Sequence, residues 1–168
     1  MTQFEDEGSA TQAGGPRVVG DLGNWKQVAS LLTAREGLGV VAARDPTTAN
    51  LYHLYAALGR TTGNTLPATV EYLSVQLDAN DKPSEAAAWK KTTASPGVGR
   101  WMLTASLADN LVTNRVSSAS ESWIYLGSGA NAGGTAGVDE LDGAKVQAGG
   151  DLTTVTSVNF NFKSRWGY

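Results

Sequence analysis

The stretch LGSGANAGGTAGVDELDG, residues 126–143, joins the dense apolar run SWIYL to the alternating run AKVQAGGDLTTVTSVNFNF. Its glycines invite comparison with loops that hold a phosphate or a cation. A phosphate-binding Walker loop needs GxxxxGK[ST], because the lysine must reach the phosphates. The segment from Gly129 to Thr135 has no lysine. A dinucleotide loop sits between a parallel strand and a helix, whereas β-like sequence follows here. A calcium β-roll repeats GGxGxD; the segment Gly133 to Asp139 has one residue too many and occurs once. Asp139, Glu140 and Asp142 supply hard oxygen ligands of the kind cations take, but the simpler expectation is a solvated acidic turn.

His53 is the sole histidine, so a Ser-His-Asp triad would have to use it. It sits in LYHLY between large apolar residues, and no GxSxG elbow occurs. The expectation is a half-buried structural residue. Zinc sites of the usual kind need several His or Cys. For a two-carboxylate hydrolase, the candidates are Glu71, Asp78, Asp81 and Glu85. Glu71 and Asp78 lie seven apart, on opposite faces of one strand, which is poor geometry for a pair. Of the five tryptophans, Trp101 and Trp123 open strands and are expected in the core. Trp166, in the terminal KSRWGY beside Arg165, is expected to dock on a neighbouring subunit. The sequence therefore assigns no catalytic, cofactor-binding or metal-ligating residue.

The composition supports that restraint. A chain of 168 residues can build one domain with a core and a terminal arm. Charged residues are 17%, below the usual quarter, as expected of a surface partly covered by partners. The net charge of −3 argues against nucleic acid as the main ligand, since phosphate binding needs a basic excess. There is no cysteine, so disulfides and thiolate sites are excluded. The acidic N-terminus has no apolar signal-peptide core, and no stretch approaches a membrane span.

The elements that would position these residues are mostly strands. Residues 1–16 form an expected extended arm with Phe4 as its one large apolar residue, and residues 17–168 a single β-rich domain. Trp25, Val28, Leu31 and Leu32 fall at helical spacing between Asn24 and Gly37, which predicts a short helix. LGVVAARD is strand-like. Asp45-Pro46 signals a second helix carrying Leu51, Leu54, Tyr55 and Leu58 to a stop at Gly59, although the same residues also alternate as a strand would. ATVEYLSVQLDA alternates cleanly, SEAAAWKK suits a helical turn or two, and GRWMLTASLAD and ESWIYLGSG are strands. The run to Phe162 has the best strand pattern, with Val158, Phe160 and Phe162 on a buried face. No internal repeat is visible. The fold class is mainly β, an antiparallel sandwich or barrel with one or two short helices in the N-terminal half.

The unit ESWIYLGSGANAGGTAGVDELDGAKVQAGGDLTTVTSVNFNF resembles a segment of tailed-bacteriophage virion proteins. The matching parts are Ile124 to Gly129, then Ala130 to Gly137, then Asp139 to Leu141 and Val146 to Phe162. The resemblance implies a non-enzymatic virion protein: a capsid decoration, head–tail neck or tail component. It implies self-assembly with copies of itself and other virion proteins, and no cofactor, membrane or sequence-specific nucleic-acid contact. The arm with Phe4, the glycines Gly129, Gly133, Gly134 and Gly137, and the terminal Arg165, Trp166 and Tyr168 are the expected interface residues. The alternatives are a carbohydrate-binding or adhesin-type module of a fibre, with exposed tryptophans in a row, and, a distant third, a small hydrolase.

Overall fold

The computed structural model describes residues 28–79, 82–84, 88–112, 120–135, 137–153 and 155–159. The arm at 1–16, and Phe4, Trp25, Trp166, Arg165, Tyr168, Phe160 and Phe162, lie outside the described residues. Two four-stranded antiparallel sheets make up the fold. Sheet I runs in the order β1 (Gly39–Arg44), β2 (Leu51–Ala57), β3 (Val70–Gln76), β4 (Lys90–Lys91). Sheet II runs in the order β5 (Thr104–Val112), β6 (Ser120–Gly127), β7 (Glu140–Lys145), β8 (Thr156–Asn159). Each is a simple meander. One core lies between them: Tyr55, Ala57, Val70 and Tyr72 from sheet I meet Ile124, Leu126 and Ala144 from sheet II. The mainly β fold agrees with the alternation in the sequence.

Neither expected helix forms among the described residues, and each failure has a physical cause. From Leu31 to Glu36, partly buried and exposed residues alternate, the period of an extended chain. This strap crosses the outer face of sheet I, held by Leu32 N–H donating to Glu71 (2.8 Å) and by the buried Arg35–Glu71 ion pair (2.6 Å). Asp45 does cap a turn, accepting hydrogen bonds from the amides of Thr47 and Thr48. The turn ends at Asn50, whose φ of 58° no helix tolerates, and β2 begins at once. Here the alternation prevails because β2 is flanked by β1 and β3 and packed on both faces: Tyr55 faces the core, and Ala56 is buried on the outer side. The only helical pieces described are short 3₁₀ turns at Thr62–Asn64 and Ala148–Gly150. Of SEAAAWKK, residues 85–87 are not described, and Lys90–Lys91 form β4.

The two sheets also repeat each other, which the sequence did not reveal. Strand registers pair Gly39 with Ala57 in sheet I and Thr104 with Gly127 in sheet II, then Ala57 with Val70 and Gly127 with Leu141. Equivalent bridges precede the strands, Glu36 to Arg60 and Trp101 to Ala130. Positive φ recurs at matching places: Gly37 and Met102, Leu58 and Ser128, Gly59 and Gly129. The same registers equate Glu71 with Asp142 and Arg35 with Arg100. Both acids are buried and both are paired, Arg100 to Asp142 at 2.7 Å.

The guanidinium groups do more than neutralise. Arg35 donates to the carbonyls of Leu58 and Thr69. Arg100 donates to the carbonyls of Ser128 and Leu126. Each arginine thereby pins the strand end where the backbone turns through positive φ. One asymmetry matters. Glu71 lies on the outer face of sheet I, opposite Tyr55 and Tyr72, whereas Asp142 shares the inner face of sheet II with Leu126 and Ala144. The halves are therefore stacked in the same sense, the inner face of sheet I resting on the arginine–carboxylate face of sheet II.

Truncating one member of a buried ion pair leaves the other uncompensated, at a cost of about 3–5 kcal/mol. Arg100→Met is expected to lower the denaturation free energy by that amount in urea melts. Arg100→Met combined with Asp142→Leu should recover only part, because the carbonyls of Ser128 and Leu126 still lose their donor.

Candidate functional site

The most chemically suggestive cluster sits at the β1–β2 end of sheet I. His53, fully buried on β2, places Nε2 2.9 Å from Asp45 Oδ2 and Nδ1 3.0 Å from Ser74 Oγ on β3. His53 and Ser74 meet because they are direct partners in the β2–β3 register. The order Ser–His–Asp is the one acyl-transfer enzymes use. The expectation of a half-buried structural histidine thus understated both its burial and its partners. The sequence signal was thin, since Asp45, His53 and Ser74 share no motif.

Asp45 anchors the cluster. Burial is the largest single influence and would raise its pKa, but the hydrogen bonds from His53, from the amides of Thr47 and Gly149 and from the hydroxyl of Thr47 together outweigh it. The net effect holds the carboxyl well below the usual carboxylate range. An ionised Asp45 can only accept, so Nε2 of His53 carries a proton. In the neutral ring, Nδ1 then accepts from the Ser74 hydroxyl.

The surroundings close over His53 and Asp45, while Ser74 is half-buried. Gly150 has φ of 94° and packs so tightly that an added Cβ would lie 2.6 Å from the Tyr72 ring and 2.7 Å from His53 Nδ1. Its carbonyl accepts the Tyr55 hydroxyl (3.0 Å), and burial raises the Tyr55 pKa far above its ordinary value. The nearby amides are occupied: Gly149 N–H donates to Asp45 and Gly150 N–H to the Gln147 carbonyl. An open cleft of about 370 Å³ includes Asp45 in its lining, with Arg44, Thr47, Thr48, Asp109 and Ser122, and neither His53 nor Ser74 lines it.

The carboxylates weighed for hydrolysis are separated by the fold. Glu71 is locked by Arg35, and Asp78 caps a turn by accepting Lys82 N–H; Asp81 and Glu85 lie outside the described residues. Asp142 corrects the expected acidic turn: β7 begins at Glu140, so Asp142 is a buried strand residue paired with Arg100. No group of three or more metal-ligating side chains occurs among the described residues.

The glycine stretch folds back on its own sheet. Ala130 bridges both Trp101 and Gly137. Gly129, at φ of 129°, is buried against Arg100 and the Trp101 carbonyl, where a Cβ would lie 3.1 and 3.0 Å away. The Trp101 indole donates to the Asn131 carbonyl and carries the Arg60 guanidinium on its face at 3.6 Å. Gly133 and Gly134 are exposed at the tip. Trp123, expected in the core, stands instead on the outer face of sheet II, near Tyr125 with ring centroids 6.4 Å apart; the core positions of β6 are Ile124 and Leu126.

Fold and site together define a two-sheet antiparallel β protein built from a repeated meander, with a polar relay centred on a buried histidine. Comparisons with protein-family models, curated proteins and solved structures yield no match.

Because folding depresses the Asp45 pKa, its contribution is fully present above the ordinary carboxylate value of about 3.9 and is lost as pH falls below it. Asp45→Asn should flatten that acid limb of a stability–pH profile, besides destabilising the protein at neutral pH. Gly150→Ala should cost about 2–4 kcal/mol, combining positive-φ strain with overpacking against Tyr72, as measured by chemical denaturation.

Proposed function

We propose that this protein is a non-enzymatic structural subunit that works by assembling with copies of itself and with neighbouring proteins, as a component of a tailed-phage virion. Capsid decoration, neck and tail roles all fall within this reading. The observation that carries it is apolar surface left at one end of the stacked sheets: Val28, Leu32 and Val40 are 47%, 54% and 62% exposed. They are spread along the outer side of sheet I, Val28 toward β4, where the Ala29 carbonyl accepts from Trp89, and Val40 on β1, which suits a broad contact rather than a single patch. The sparse charge and the likeness of residues 122–162 to virion segments support the same reading.

The relay fits a structural role within it. A nucleophile needs space for substrate and free donors for a developing oxyanion, and here Gly149 and Gly150 roof the histidine with their amides engaged. Ser74, His53 and Asp45 instead tie β3, β2 and the β1–β2 turn to the Ala148–Gly150 turn of the other half. A fluorophosphonate probe, which labels activated serines, is expected to leave Ser74 unmodified in intact protein; stoichiometric labelling lost in Ser74→Ala would overturn the non-enzymatic reading.

The outer-face pair Trp123 and Tyr125 favours a second reading, a carbohydrate-binding module of a fibre. Light scattering after gel filtration separates the two. The assembly reading predicts a mass several times that of the 17.5 kDa chain, rising with concentration. A concentration-independent monomer contradicts it.

A further inference from the structure

The stacking sense of the two halves identifies how copies would meet. Inside the molecule, the face of sheet I that bears Tyr55 and Tyr72 rests on the arginine–carboxylate face of sheet II. These two faces are not equivalent, so the internal junction is heterologous. It leaves one face of each kind at the ends. The outer face of sheet I is the arginine–carboxylate face of the first half, crossed by its strap and exposing Val28, Leu32 and Val40. The outer face of sheet II is the equivalent of the face that sheet I buries, and it carries Trp123, Tyr125 and Leu141. Gly143 lies beneath the Tyr125 ring, so an aromatic side chain forms part of this surface.

We infer that a second copy of this chain docks head to tail, the Trp123–Tyr125 face of one copy seated on the Val28–Leu32–Val40 face of the next. The occupant follows from the repeat. Sheet I buries its Tyr55–Tyr72 face on sheet II, and in sheet II the same backbone face, with Trp123 and Tyr125 in the places of His53 and Tyr55, stands at the other end. The strap covers the β3–β4 side of the receiving face, with Leu32 N–H and Arg35 on Glu71 and the Ala29 carbonyl accepting from Trp89, so the contact falls on the strap and on β1 around Val40. A heterologous contact of this kind closes into a ring or continues as a filament, depending on the rotation per step, whereas a two-fold contact would stop at a dimer. The inference rests on the assembly reading above and specifies its geometry.

Two exposed positions test it without disturbing the core. Val40 lies on the receiving face, and Ser106, the β5 partner of Tyr125, lies on the docking face. Val40→Arg and Ser106→Arg are each expected to fold with wild-type circular dichroism and thermal midpoint. Each alone should be monomeric by sedimentation velocity. Mixed in equal amounts they should form heterodimers and nothing larger, because each variant retains the one face that the other lacks. Self-association of either variant alone, or no association on mixing while the wild type still oligomerises, overturns the head-to-tail contact and leaves the assembly reading standing. A wild-type monomer at every soluble concentration overturns both, and its retention on immobilised glycans would point to the sugar-binding alternative.

Discussion

The structure depends on a buried arginine–carboxylate pair used twice. An ion pair taken out of water is rarely favourable by itself; its desolvation cost is offset only when further hydrogen bonds satisfy the remaining donors and acceptors. Arg35 and Arg100 meet that condition in the same manner. Each reaches from the residue before a bridge, neutralises an acid on the third strand of its meander, and donates to a carbonyl where the second strand ends. The side chains of all four partners are at most 1% exposed. Register is the property such a pair can enforce: a one-residue slip of β3 or β7 would carry Glu71 or Asp142 to the wrong face.

Much of the rest follows from where these pairs put the sheets. Because Asp142 faces inward and Glu71 outward, the halves stack in one sense, and the molecule has two unlike ends. The strap that delivers Arg35 covers the first end only partly. The segment that delivers Arg100 lies instead beside the core, where Pro96 approaches Val70, Ile124 and Leu126. The Asp45–His53–Ser74 relay then fastens the halves at the opposite corner, through Gly149 N–H to Asp45 and the Tyr55 hydroxyl to the Gly150 carbonyl.

The strands were legible wherever residue types alternate, as in ATVEYLSVQ and ESWIYLG, because successive side chains of a strand take opposite faces. The helices at Asn24–Gly37 and after Asp45 were misread for a shared reason. Leucine and alanine spacing is compatible with either period, and the deciding contacts are tertiary: Glu71 for the strap, flanking strands for β2. Asp142 reads as a turn residue because ELDG carries turn-like residues; its burial is explained by Arg100, 42 positions away, and by the Ser157 hydroxyl, both of which donate to it. The repeat was hard to see because few positions keep their residue, Arg35 with Arg100 and Gly59 with Gly129 among them, while others keep only their backbone geometry. Gly37 matches Met102 and Leu58 matches Ser128, positions alike in φ and unlike in side chain. The relay was half visible: His53 was conspicuous, but its pairing with Ser74 needed the strand register.

The absence of cysteine permits a direct measurement of the head-to-tail contact. Val40→Cys and Ser106→Cys would be combined in one chain and oxidised at a concentration where the protein associates. The two positions lie on opposite outer faces, with both sheets between them, so a disulfide within one chain is barred. A head-to-tail contact gives a ladder of covalent multimers on a non-reducing gel, and no cross-linking of either single variant. Efficient dimers from Val40→Cys alone or Ser106→Cys alone, with no ladder from the double variant, would show a two-fold contact and contradict it.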